Sequence, residues 1–208
     1  MSNTINALKW RYATKKFDGG KVVSDADIKT LRESINLTAT SFGLQPFRVA
    51  VITDGAVKEK LRAAAYDQAQ LTTASHVFVF AAKTTVTPEY VDNFIKLMAD
   101  VRNVPVAAIE GFGDYIKGSL KDKSQEELQR WNTRQAYIAL GSLLITAGEL
   151  KVDACPMEGF EGDKFDEILG LKEKGLTAVV IVPVGYRSAE DDTQHAAKVR
   201  LPLEELFL

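Results

Sequence analysis

Four short polar segments carry the chemistry that this sequence offers. Arg11-Tyr12-Ala13-Thr14-Lys15 sets two cations four residues apart, with a small residue and a hydroxyl between them. That pattern suits a phosphate or another anion, although charge clusters also line solvated faces. Thr40-Ser41-Phe42-Gly43-Leu44-Gln45-Pro46-Phe47 is a hydroxyl- and glycine-bearing turn entering a strand, and Pro156-Met157-Glu158-Gly159-Phe160 is a glycine turn leaving one. Taken alone, either is an ordinary surface turn. Lys198-Val199-Arg200 supplies a second pair of cations. Four cations from opposite ends of the chain could meet on one dianion, but spacing does not decide that.

Other chemistries find no support. There is no GxGxxG after a strand, no GxxxxGK[ST] and no GxSxG elbow. His76 and His195 stand far apart, and neither has the neighbours of a structural zinc site, so no metal is expected. His76, at a strand start, reads as a structural histidine. Cys155, in an expected strand, reads as a small buried hydrophobe rather than a nucleophile. As the single cysteine it forms no internal disulfide and points to a reducing compartment, hence the cytoplasm. Against 28 acids stand 26 bases, which disfavours a nucleic-acid partner, and no apolar run is long enough to span a membrane. The length of 208 residues suits one domain with a sizeable core.

The elements that must position these segments can be read from periodicity. A short helix over 3–10 is capped by Thr4, and a second opens at Ser24 with Ile28, Leu31 and Ile35 on its apolar face. Strands are expected at 47–53, 77–82, 151–157 and 177–184, and helices at 56–66, 88–102, 105–119 and 163–169. Gly111-Phe112-Gly113 should loosen the 105–119 helix. Ser124–Leu150 is the strongest helix: Ser124 and Glu127 match a capping box, and beyond Trp131 it is apolar on most sides. It is either the core helix of a monomer or the centre of an oligomer, which the composition favours. The tail ends in Leu206-Phe207-Leu208, an apolar end that should dock on its own or a neighbouring subunit. Together these give one α+β domain, residues 1–208, with helices around a small mixed sheet.

Taken in order, RYATKKFD at 11–18, SFGLQPFRVAVI at 41–52, ASHVFVFAAKT at 74–84, RQAYIALGSLL at 134–144, DACPMEGF at 153–160, GLKEKG at 170–175, VPVG at 182–185 and KVRLPLEE at 198–205 resemble the FMN-dependent nitroreductase family. Within it the chain is similar to the oxygen-insensitive NAD(P)H nitroreductase and dihydropteridine reductase-like branch. Each motif is short, but together they span nearly the whole chain in the family's order.

The resemblance implies an intertwined homodimer with FMN at the interface and NADH or NADPH as reductant. It implies ping-pong hydride transfer through flavin N5 to a small-molecule acceptor such as a nitroaromatic, quinone or pteridine. A reductase specialised for one metabolite, or a low-turnover flavin-binding redox protein, are the alternatives. The resemblance makes Arg11, Lys198 and Arg200 phosphate cations, and Lys15 the cation near the pyrimidine end of the flavin. Tyr12 and Ala13 belong to the same motif. Thr40, Ser41 and Gly43 match a turn lining the ring from the partner subunit; Pro156, Met157, Glu158 and Gly159 match its other side, with a backbone N–H near N5. Gln135 matches a polar contact on the long helix. The chain departs from the family at Ala13, where many relatives have serine, at Asp67, where asparagine is common, and at Gln70, where lysine is common; Asp67 and Gln70 keep those places at the pyrimidine edge. Residues 88–120 match the region that holds variable helices over the active site.

Overall fold

The computed structural model describes residues 2–207; Met1 and Leu208, the last residue of the apolar end, lie outside it. Helix α1 (Asn3–Trp10) starts one residue after Ser2, whose hydroxyl accepts from the Ile5 amide. Ser2, and not Thr4, is therefore the cap; Thr4 sits inside the helix and donates to Glu149 at 3.0 Å. Helix α2 (Asp25–Asn36) is capped by Ser24 and buries Ile28, Leu31 and Ile35. Strand β1 (Phe47–Ile52) leads through Asp54, which caps α3 (Gly55–Ala63). That helix stops short of 66 because Tyr66 and Asp67 take left-handed backbone angles, φ 52° and 56°. The single turn α4 (Gln70–Thr73) precedes β2 (His76–Lys83).

Next come α5 (Pro88–Arg102) and α6 (Glu110–Leu120), the variable segment. Gly113 does not loosen α6. It is buried, and a Cβ there would stand 2.8 Å from Ile95 Cγ1, so the missing side chain lets α5 and α6 approach. The long helix α7 (Gln125–Glu149) begins with the expected capping box. Strand β3 is only Asp153–Ala154, since Pro156 has no amide to continue the ladder; Met157 rejoins through a bridge to Ile181. Cys155 lies just past β3, buried. Helix α8 (Gly162–Leu169), strand β4 (Leu176–Gly185) and the short α9 (Leu203–Leu206) complete the chain.

The strands lie in the order β1-β2-β4-β3. Each ladder is antiparallel, and the mixed character of the sheet reduces to one parallel bridge between Ala13 and Ala154. The continuous apolar runs of β2 and β4 follow from cover on both faces. Phe78, Phe80, Val180 and Val182 pack with α2 and α7, while Val77, Val79, Ala81 and Ile181 face α3 and α8. Helix α7 buries Ala136, Ala139, Leu143 and Ala147 against that first core. Its opposite side stays open within one chain, with Ile138 49% exposed. No described helix is long and apolar enough to cross a membrane.

Candidate functional site

The Arg11–Lys15 segment leaves α1 in extended conformation and is laid against β3 by the Ala13–Ala154 bridge. Two buried carboxylates fix it there. Asp153, 3% exposed, receives the Arg187 guanidinium in a forked contact (Nη2 at 2.6 Å and Nε at 2.9 Å from Oδ1) and the Arg187 amide at 2.8 Å on Oδ2. The same guanidinium lies 4.2 Å from the Trp10 ring centre and 4.6 Å from that of Tyr12. Asp191 accepts from the Tyr12 hydroxyl at 2.9 Å and the Lys15 amide at 2.7 Å. Burial, reinforced by that Asp191 bond, pushes the Tyr12 hydroxyl up to about 12. Burial would raise Asp191 as well, but the amides of Lys15 and Lys16 and the Tyr12 hydroxyl outweigh it and hold the carboxyl below its ordinary value.

The three expected phosphate cations are brought near one another. The Lys198 ammonium donates to the Arg11 carbonyl, which folds the C-terminal tail onto the N-terminal segment. Burial lowers Lys198, and the charges of Arg11 and Arg200 lower it further. Burial lowers Arg11 too, with Arg200 adding to the effect. Lys15 and Arg11 are both felt at the buried Cys155 thiol, although burial dominates there and raises it. Arg11 Nε is buried with no hydrogen-bond partner. A buried guanidinium donor left open among like charges fits an oxyanion such as a phosphate.

Beside these cations runs the 156–159 turn. Met157 is buried and paired to Ile181, while Glu158 and Gly159 are exposed. The Tyr137 hydroxyl of α7 donates to Glu158 Oε1 at 2.5 Å, and burial followed by that carboxylate raises the tyrosine above its ordinary value. Gln68 Nε2 donates to the Gly159 carbonyl at 2.7 Å, which places the 66–70 loop next to the turn. In that loop Asp67 pairs with Arg62 at 2.8 Å, and Gln70 is buried.

The Thr40–Gly43 turn is a separate cluster. Gln135, buried on α7, accepts the Ser41 amide at 2.8 Å, so its role in the structure is to hold the turn. Phe42 and Gly43 take positive φ, 60° and 75°. The Phe42 ring meets Phe112 and Tyr115 of α6 edge-on, and lies 6.2 Å from Trp131 of α7. The variable helices are thereby anchored on the turn. Among the described residues no hydrogen bond, ion pair or ring contact joins this turn to the cations. Sequence reasoning missed Asp153, Asp191, Arg187, Tyr137 and Gln68. Each acts through contacts between residues distant in sequence, which local spacing does not reveal.

The nitroreductase family model matches residues 8–186. A Staphylococcus haemolyticus protein named "Putative NAD(P)H nitroreductase" is 36% identical over 211 residues, covering 98% of this chain and 95% of its own. The chain belongs to the nitroreductase family. A Bacillus subtilis relative with the same form of name is 36% identical over 194 residues, covering 88% of each chain. Among solved structures, one from Exiguobacterium sibiricum, described as "a putative nitroreductase in complex with FMN", superposes with a TM-score of 0.87 at 19% identity, covering 100% of this chain and 97% of that one. A Bacillus subtilis nitroreductase structure gives the same TM-score at 18% identity, covering 98% and 97%. The nitroreductase fold is thus established. The family match ends before Lys198 and Arg200, so the tail's place beside Arg11 comes from the structure.

Proposed function

We propose that the chain is an FMN-dependent NAD(P)H oxidoreductase working as a homodimer. The observation that carries this reading is the Lys198 contact with the Arg11 carbonyl, which brings the cation-bearing tail to a buried, unpartnered Arg11 Nε. When bound, FMN would supply the hydride relay between a reduced nicotinamide and an oxidant. Arg11, Lys198 and Arg200 would hold the phosphate, with Lys15 toward the ring. Pro156, Met157, Glu158 and Gly159 would support one side of the cofactor, with Asp67 and Gln70 at its edge. Thr40, Ser41 and Gly43, fixed by Gln135, would close the partner's site. The aromatic group of Phe42, Phe112, Tyr115 and Trp131 supports planar acceptors such as nitroaromatics, quinones and pteridines.

The open face of α7 at Ile138 and the exposed tail, with Val199 84% and Phe207 68% exposed, support the homodimer. Purified protein should be yellow, release FMN on denaturation, and bleach with NADH or NADPH under anaerobic conditions. Steady-state rates should give parallel double-reciprocal lines. Colourless protein that FMN does not reconstitute refutes the reading.

A further inference from the structure

We propose that Asp191 is the positioning residue of the cofactor's phosphate end, fastening the two cation-bearing segments to each other through one buried carboxylate. This rests on the FMN reading above. Asp191 is 1% exposed. Its Oδ2 accepts from three donors on the N-terminal arm: the Lys15 amide at 2.7 Å, the Tyr12 hydroxyl at 2.9 Å and the Lys16 amide at 3.2 Å. Its Oδ1 accepts the Thr193 amide at 3.1 Å, at the start of the arm that leads to Lys198 and Arg200. The backbone repeats the link beside it, the Ser188 amide donating to the Lys16 carbonyl at 2.9 Å. Among the side chains that link the two arms, Asp191 gathers the most donors, and with the Ser188–Lys16 bond and the Lys198–Arg11 contact it sets Arg11 and Lys15 relative to Lys198 and Arg200.

The geometry separates positioning from electrostatics, because the two have opposite signs. Asp191 lies close enough to the cations for all of them to act on the same Cys155 thiol: Lys15 and Arg11 lower it, and Asp191 raises it. A carboxylate so near a phosphate site repels the phosphate. By charge alone, removing it would tighten phosphate binding. By position, removing it releases the Lys15 and Lys16 amides, frees the tail and scatters the cations, so phosphate binding weakens. An asparagine does not substitute, because its amide nitrogen would face N–H donors on one side or the other.

The test compares FMN with riboflavin, which lacks the phosphate, by fluorescence titration of flavin-free protein. Asp191→Asn should weaken FMN by about ten- to a hundred-fold, as expected for losing one charge-assisted contact, with a several-fold smaller loss for riboflavin, which meets Lys15 but has no phosphate. Tyr12→Phe removes one donor and leaves the carboxylate. It should give a smaller loss of the same phosphate-selective kind, and it serves if Asp191→Asn does not fold. Tighter FMN binding by the variants, equal loss of both flavins, or no change would each overturn the proposal while leaving the FMN reading intact. Wild-type protein that binds neither flavin would overturn both.

Discussion

The Arg187–Asp153 pair offers the sharpest stability test. Replacing Arg187 with methionine keeps apolar bulk between Trp10 and Tyr12 but removes the guanidinium. Asp153 would remain as a buried charge, with the Arg187 amide at 2.8 Å and the Thr14 hydroxyl at 3.4 Å as its remaining partners. Breaking a buried pair by deleting one partner costs about 3–5 kcal/mol, because the remaining charge stays desolvated. For a chain of this size each kcal/mol shifts the melting temperature by about 2–4 °C, so a fall of roughly 6–20 °C is expected. Adding Asp153→Asn should recover much of that loss, since the stranded charge is gone. Thermal scans and urea unfolding of wild type, both single variants and the double variant, at one protein concentration, give the full cycle. A loss below about 1 kcal/mol for Arg187→Met, the range of exposed ion pairs, would refute the reasoning. So would a double variant no more stable than Arg187→Met.

Three further outcomes follow from the geometry. Arg200→Ala should weaken FMN by about 1.5–3 kcal/mol, or roughly 10- to 150-fold, measured by the same titration; unchanged affinity removes Arg200 from the site. Tyr12 has its hydroxyl raised from 10.0 to about 12 in the fold. The folded state therefore holds that proton more tightly, and the stabilisation is full below pH 10 and lost as pH rises through about 12. Alkaline unfolding of Tyr12→Phe should lose less stability across that window than wild type, and parallel curves would refute the assignment. Ile138→Glu, on the open side of α7, should convert a dimer to monomer in size-exclusion chromatography with light scattering; a monomeric wild type, or a variant that stays dimeric, contradicts that interface.

Local signals made much of the fold legible. Ser24, Pro88 and the Ser124–Glu127 box mark helix starts that the structure keeps, because a cap is a contact between near neighbours. The apolar runs of β2 and β4 were equally plain, since cover on both faces erases alternation. What local reasoning lost were features decided at a distance. Gly113 reads as a weak point until Ile95 is seen beside it, and Thr4 as a cap until Glu149 is seen to take its hydroxyl. In the site, the cations could be named from their type and motif. Their carboxylate supports could not, because Asp153 and Asp191 find their partners only after the ends of the chain have met.

That meeting has a consequence for the order of events during synthesis. The contact from Lys198 to Arg11 closes a span of 187 residues, and Tyr12 to Asp191 a span of 179. Both can form only after residues 191–198 have left the ribosome, when the central sheet already has its strands. Closing so long a loop is entropically dear by itself, but a folded sheet already holds β3 beside the Arg11 segment and shortens the effective distance. The phosphate end is therefore completed late, after every strand of the sheet has been made. A chain stalled before residue 191 would carry the strands of the core but leave Arg11 without Asp191, Lys198 and Arg200 beside it.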